Sequence, residues 1–395
     1  CNGGYHLLSL AIERASGQSL RQFLQQRVFL PLGMRDTTLV ASDFELHRGM
    51  ATLHVPLPPE AGEGWRRGIF PSEEVGGDGA LISTVGDMLH WLAHLRGAKT
   101  VGSDESWRQM LAPARLNDGR EIPYALGLRL RRYRGVEVVH HAGGVIGGSS
   151  QMITVPAHAL DMIVMNNGAA LDPVPLAYQI IDTVLGGSLE AEPAPGLRCE
   201  AFRPMLGTRY HAPDSGLVIG FDEAPGGWLG LRVMNAPPMP LKEVGAQLQL
   251  DLEDLAVGPV GVSAAALARC GEPPNLLDVR DGCLTERLLR LPANPPGIDA
   301  LCHGGLLGRY HAPDLPANAE LLRAGDRLLL TVTGPHGRHV LELTGWSMQV
   351  FGWQMPGSLP LAGAVTVERD ADQRVLAFRM DTVRTRSMRF ERLAD

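Results

Sequence analysis

A chain of 395 residues, 45% hydrophobic and 20% charged, has the balance of an ordered globular protein and exceeds what one core usually organises, so two or three domains are expected. Its formal net charge of −7 argues against nucleic acid or an anionic membrane as partner, because both need a basic patch. No apolar run reaches membrane-spanning length.

The chain opens Cys1-Asn2-Gly3-Gly4-Tyr5-His6, and Leu7, Leu8, Ala11, Ile12 and Ala15 then recur at helical spacing until Ser16-Gly17 stops the pattern. Ser19, with Gln22 three residues on, forms a capping box for a second helix striped by Leu20, Phe23, Leu24 and Val28. Thr84 with Asp87 caps a third, buried through Met88, Trp91, Leu92 and Leu95. All three stripes read as core. Between them, residues 51–72 are rich in Pro, Gly and Trp, which suits a long loop of the kind that roofs a site.

His140-His141-Ala142-Gly143-Gly144-Val145-Ile146-Gly147-Gly148 puts polar side chains and closely spaced glycines where an apolar strand begins. Glycine lets backbone N–H groups come close to a ligand, and a neighbouring His can donate, accept or titrate near neutrality, which is hardware for holding a carbonyl. A glycine-rich turn with a solvated His is the competing reading.

After Gly187 the pattern changes. Leu189 to Gly196 reads as a semi-rigid linker, and short alternating strands with Pro- and Gly-containing turns follow. Arg209-Tyr210-His211-Ala212-Pro213-Asp214 recurs letter for letter as Arg309-Tyr310-His311-Ala312-Pro313-Asp314, which implies two copies of one domain. Each copy continues into a hairpin, read as Leu217–Phe221 with Trp228–Val233 and as Leu328–Val332 with His339–Leu343, and closure into two small up-and-down barrels would remove exposed edges. His211 and His311 have no second ligand at useful spacing, and the five cysteines contain no Cys-x-x-Cys pair, so no metal, no cofactor and no disulfide framework is expected. Buried free thiols are the default expectation, and the compartment and oligomeric state stay open.

Five stretches keep one order along the chain: Cys1-Asn2 running through Glu13 to Pro31-Leu32-Gly33-Met34, Gly76-Gly77 to Ser83-Thr84 and Asp87, Tyr124-Ala125-Leu126-Gly127, His141-Ala142-Gly143, and Met162 to Asn166-Asn167. Together they resemble the serine β-lactamase-like hydrolases, which include penicillin-binding proteins, class C β-lactamases, D-aminopeptidases and related esterases. In that comparison Cys1-Asn2 ends the family's Tyr-x-Asn motif and His141-Ala142-Gly143 is the His-x-Gly form of its third motif. The family's nucleophile lies in a Ser-x-x-Lys motif, but the two lysines here, Lys99 and Lys242, follow Arg96 and Met239 at that spacing. The expectation is therefore a fragment cut inside the second motif and inactive alone.

The resemblance implies an α/β (α+β) hydrolase domain, N-terminally truncated, over residues 1–190, followed by antiparallel β-barrels at 197–300 and 301–395. That order is similar to the D-aminopeptidase branch, as is the opening Cys-Asn-Gly. It further implies acyl transfer through a covalent acyl-enzyme on a small peptide, amide or ester. Asn2 would bond the substrate amide, His141 would replace the usual Lys at the cleft edge, and the Gly144 N–H would supply half of the oxyanion hole. Gly143 would keep the strand edge open, with Cys1 and Ala142 beside it. In that branch a loop from the third domain reaches the cleft; here the comparable stretch is about Phe351 to Ala362, with Trp353 as its best candidate contact. No Asp or Glu occurs from Leu343 through Val367, which puts recognition of a free amine in doubt. Two rivals remain: Cys1 as an N-terminal nucleophile, and a non-catalytic ligand-binding relative.

Overall fold

A computed structural model describes the chain except for residues 43, 58–61, 69–75, 118, 120, 169–170, 192–195, 251–259, 282–283, 336, 356–360, 384 and 394–395. Two compact units emerge, Cys1–Glu192 and Pro193–Asp395.

The first unit is built around a four-stranded antiparallel sheet. Its strands are Arg129–Tyr133, Val136–Val145, Gly148–Val155 and Leu160–Asn166, adjacent in sequence order. Helices cover both faces. On one, α5, defined below, meets Val136, Val138, Ile153 and Val155 through Ala177, Tyr178 and Ile181; on the other, α3 brings Leu92 and Leu95 against Leu128 and Val139. Helix α1 spans Asn2–Ser16 and ends on Gly17 in the left-handed conformation. Helix α2, Leu20–Leu24, has the expected capping box between Ser19 and Gln22. Helix α3 is Val85–Arg96, capped by the Thr84 side chain accepting from the Asp87 N–H. Helix α4 is Asp104–Met110 and α5 is Pro173–Leu185.

Two expectations for this unit are corrected. The Leu7–Leu8 stripe of α1 is not core: Leu7 is 67% exposed, while Tyr5 is half-buried and Ser9 buried. The cause lies in Gly76-Gly77, whose backbone lies so close to α1 that a Cβ on Gly77 would stand 2.3 Å from the Tyr5 carbonyl oxygen and one on Gly76 2.7 Å from the His6 ring. That approach turns the Tyr5–Ser9 side inward. Likewise Tyr124 to Leu128 is not a strand but a turn with a single bridge from Tyr124 to Arg129, which leads into the first strand of the sheet.

The second unit holds two antiparallel sheets. The first has nine strands, and its outermost strands, Met239–Pro240 and Lys242–Val244, are separated in sequence only by the fully buried Leu241. The sheet is therefore fastened end to end by one residue. The second sheet is an eight-strand closed barrel from Gly308–His311 to Met388–Arg392. The duplicated hexapeptide enters both at the same place: Tyr210 pairs with Ile219 and Tyr310 with Ala319, both tyrosines are fully buried, and each donates its hydroxyl to a carbonyl, of Pro274 and of Leu306. The strand after the second copy is Asn318–Ala324, paired with Arg327–Gly334; the hairpin read from sequence is the next one, because the charges of Asn318–Ala324 mask its alternation. His336 lies outside the described residues.

Within this unit the two sheets share a core: Trp346, Val350 and Ala364 of the second pack with Phe221, Val262 and their neighbours of the first. The turn after the first hexapeptide is seated on the second barrel. His211 Nε2 is 3.1 Å from the Thr366 hydroxyl, Arg379 donates to the carbonyls of Pro213 and Asp214, and Arg386 donates to that of Ser215. Pro213 and Asp214 are exposed, as are Pro313 and Asp314 of the second copy; the copies differ at His211, buried where His311 is half-buried, and at Ser215, half-buried where Leu315 is exposed.

The loop expected over Phe351 to Ala362 is also corrected. Val350–Met355 and Leu361–Arg369 are paired strands of the closed barrel, and Trp353 is 3% exposed in its interior, so it is core rather than loop; residues 356–360 lie outside the described residues. The thiols divide: Cys199 is buried, Cys302 intermediate, and Cys1 and Cys270 exposed, while Cys283 lies outside the described residues. Among the described residues no helix is long and apolar enough to cross a membrane, and no three His, Cys, Asp or Glu side chains cluster as metal ligands.

Candidate active site

The strand Val136–Val145 carries the histidine pair, and successive side chains of a strand point to opposite faces. His140 shares the face of Val136 and Val138. It is 1% exposed, 3.1 Å from the Gln151 side-chain nitrogen and edge-on to Tyr178 of α5. His141 turns the other way and is half-buried. Its Nδ1 is 2.6 Å from the Ala142 carbonyl oxygen and its Nε2 is 3.3 Å from the Tyr124 hydroxyl.

Beyond His140 the strand loses one neighbour. Arg129–Tyr133 pairs only with residues 136–140, whereas Gly148–Val155 continues alongside to Val145, so residues 141–145 have a strand partner on one side alone among the described residues. Gly143 and Gly144 are exposed there, and they differ. A Cβ on Gly144 meets nothing within 4 Å, whereas one on Gly143 would stand 2.6 Å from Ser150 Oγ across the ladder. Gly143 is small for the sake of its neighbour; Gly144 leaves open space.

Asn2 and Cys1 sit at the start of α1, both exposed, with Cys1 in the cap position and making no side-chain capping bond. One turn on, Tyr5 is half-buried, its ring and hydroxyl lying against the Gly127 turn that follows Tyr124. Burial, with Tyr124 next in weight, pushes the Tyr5 phenol up to about 12, against a smaller opposing pull from the Gly127 backbone. Tyr124 touches the His141 strand, and Arg129 stands 5.6 Å over its ring. Neither tyrosine was singled out as a site residue in the sequence. The only signal was Tyr124's place before Gly127, whose positive φ of 79° brings the turn against the Tyr5 ring.

The expected roofing loop holds a short hairpin, His54–Pro56 with Trp65–Arg67. It is seated on the turn beyond Gly144: the His54 N–H donates to the carbonyls of Gly147 and Asn167, and the Asn167 side chain donates to Thr52. Gly68 lies so close that a Cβ there would stand 2.1 Å from the Ile146 carbonyl oxygen. The Ser-Thr-x-x-Asp stretch is structural. Asp87 accepts from the Asp36 N–H and the Thr37 hydroxyl, and Thr37 also bonds Ser83. The structure thus gathers Tyr5, Tyr124, His141, Ala142, Gly143 and Gly144 and puts Asn2 and Cys1 one turn from Tyr5; Trp353 is in the interior of the closed barrel of the second unit.

Residues 1–185 match the Beta-lactamase family model. Over that stretch the chain is similar to the serine β-lactamase-like proteins. It is similar to the D-aminopeptidase of Brucella anthropi, 24% identical over 336 residues that cover 83% of this chain and 57% of that one. It is similar also to the D-aminopeptidase of Gluconobacter oxydans, 27% identical over 286 residues, 69% of this chain and 52% of that one. The chain thus spans about half the length of the curated relatives it matches. Among solved structures, an octameric penicillin-binding protein homologue from Pyrococcus abyssi aligns over 99% of this chain and 64% of its own, at 14% identity and a TM-score of 0.41.

Proposed function

We propose that the chain supplies one wall of the cleft, and both barrels, of a D-aminopeptidase-like serine hydrolase. The observation that carries this reading is His141 held against Tyr124 beside a strand edge at Gly143-Gly144 that has no second neighbour among the described residues, with Tyr5 of α1 packed on the Gly127 turn that follows Tyr124. The kinship with D-aminopeptidases supports it. An extended substrate can add to such an edge, where backbone N–H groups hold its carbonyl. In this reading a serine oxygen adds to the carbonyl carbon, the C–N bond breaks as the amine leaves with a proton, and water then cleaves the ester. Asn2 holds the substrate amide, Gly144 contributes an N–H to the oxyanion and His141 lines the cleft edge. The Ser-x-x-Lys pair is not among the 395 residues.

The test is a protein in which a Ser-x-x-Lys segment is joined to this chain, assayed on D- and L-amino-acid p-nitroanilides, a chromogenic cephalosporin and short-chain p-nitrophenyl esters. Preferential turnover of a D-amino-acid anilide with a burst of product is the expected result. A folded protein that turns over none of these while binding them would instead support the non-catalytic reading, which the missing Ser-x-x-Lys favours.

A further inference from the structure

From the hydrogen bonds around His141 we infer that Tyr124 is a positioning residue that holds His141 in its Nδ1–H tautomer at the cleft edge. The inference deepens the hydrolase reading and rests on it for its catalytic meaning only. A carbonyl oxygen can only accept, so the 2.6 Å contact of Nδ1 with the Ala142 carbonyl places a proton on Nδ1. In the neutral ring Nε2 is then an acceptor, and the Tyr124 hydroxyl, 3.3 Å away, donates to it. Both bonds run in one direction, from the phenol through the imidazole to a backbone carbonyl. The Tyr124 ring also stands edge-on to the imidazole, with centroids 6.2 Å apart.

This order has a function that packing alone would not require. It sets the imidazole plane against Ala142, directly before Gly143 and Gly144. Tyr124→Phe keeps the ring and removes only the hydroxyl.

The test uses the 395-residue chain with its histidines labelled with 15N, the His141 signals being assigned by their loss in His141→Gln. The expected result is an Nδ1–H pattern for His141, opposite to the Nε2–H form that imidazole favours in water. In Tyr124→Phe it should move toward the Nε2–H pattern. His140 should stay unchanged. In the protein joined to Ser-x-x-Lys, Tyr124→Phe should lower kcat/KM about tenfold, mostly through kcat. An Nε2–H pattern for His141 in the unaltered chain, or His141 signals indifferent to Tyr124→Phe, overturns the inference. A shifted tautomer without any turnover leaves the positioning intact and sinks only the hydrolase reading. Should Tyr124→Phe fail to fold, the pattern of the unaltered chain decides.

Discussion

His140 and His141 are adjacent, yet they perform separable tasks. In the protein joined to Ser-x-x-Lys, His141→Ala should lower kcat/KM by roughly tenfold to a thousandfold, the usual scale for one polar group at a reacting carbonyl, with an unchanged melting temperature. His140→Ala, which empties a site between Gln151 and Tyr178, should instead cost about 2 kcal/mol of stability by thermal or urea denaturation. The glycines divide in the same way. Gly144→Ala should leave the melt untouched, because its Cβ enters open space, while Gly143→Ala should cost under about 1 kcal/mol, since only Ser150 Oγ must rotate, and that cost should vanish in a Ser150→Ala background. The opposite facing of the two histidines was legible from the two-residue period of a strand. The partner of His141 was not: Tyr124 is 17 residues away, and no local pattern announces a hydrogen bond between such positions.

At the scale of elements, helix existence was legible and helix orientation was not. The caps of α2 and α3 followed from Ser19, Gln22, Thr84 and Asp87, because capping is local chemistry. The inward face of α1 followed from a distant backbone, Gly76-Gly77, whose approach selects Tyr5 and Ser9 over the leucines. Gly77→Ala should therefore displace α1 and cost on the order of 2 kcal/mol, because the obstructing atom is the Tyr5 carbonyl, which no rotamer change relieves. Hydrogen exchange read along α1 checks this: protection should fall there and persist in the sheet. Leu7→Lys, on the exposed face, should leave the melt within about 0.5 kcal/mol. Trp353 was misplaced in the sequence for a related reason. A Pro-rich apolar run suits a loop, but the alternation of Val350 to Met355 continues a barrel strand, and the prolines lie after it.

The second unit behaves as one body in which the two sheets share buried groups. His211 is the most informative, since burial, with the Arg379 charge adding to it, pushes its imidazole down to about 4. The neutral ring is the folded form, so between pH 6.5 and about 4 the unfolded chain binds more protons, and stability falls as the pH falls through that window. At about 1.4 kcal/mol per pH unit the loss approaches ~3 kcal/mol, all of it reached below about pH 4. Asp381 acts in the opposite sense, burial raising its carboxyl, so the comparison of the unaltered chain with His211→Gln isolates the imidazole: the variant's urea midpoint should change less between pH 7 and pH 4. The matching entry into both sheets was legible because six letters repeat. The meeting of the first and last strands of each sheet was not, since it joins residues distant in sequence, Tyr210 with Arg290 and Tyr310 with Arg392.

The two hexapeptides have identical letters and different surroundings. After the first, the chain turns into a contact with the second barrel: a Cβ on Gly216 would stand 2.1 Å from the Asp381 carboxylate, and the Arg379 and Arg386 guanidiniums grip the carbonyls of the turn. After the second, Leu315 is exposed where Ser215 is half-buried. Two sheets entered by the same six letters thus fit as a plug and a socket, and the order in which they are strung cannot be exchanged. A chain with the barrels transposed should form each sheet but lose the joint between them, which the His211–Thr366 and Arg379 contacts now hold on one side only.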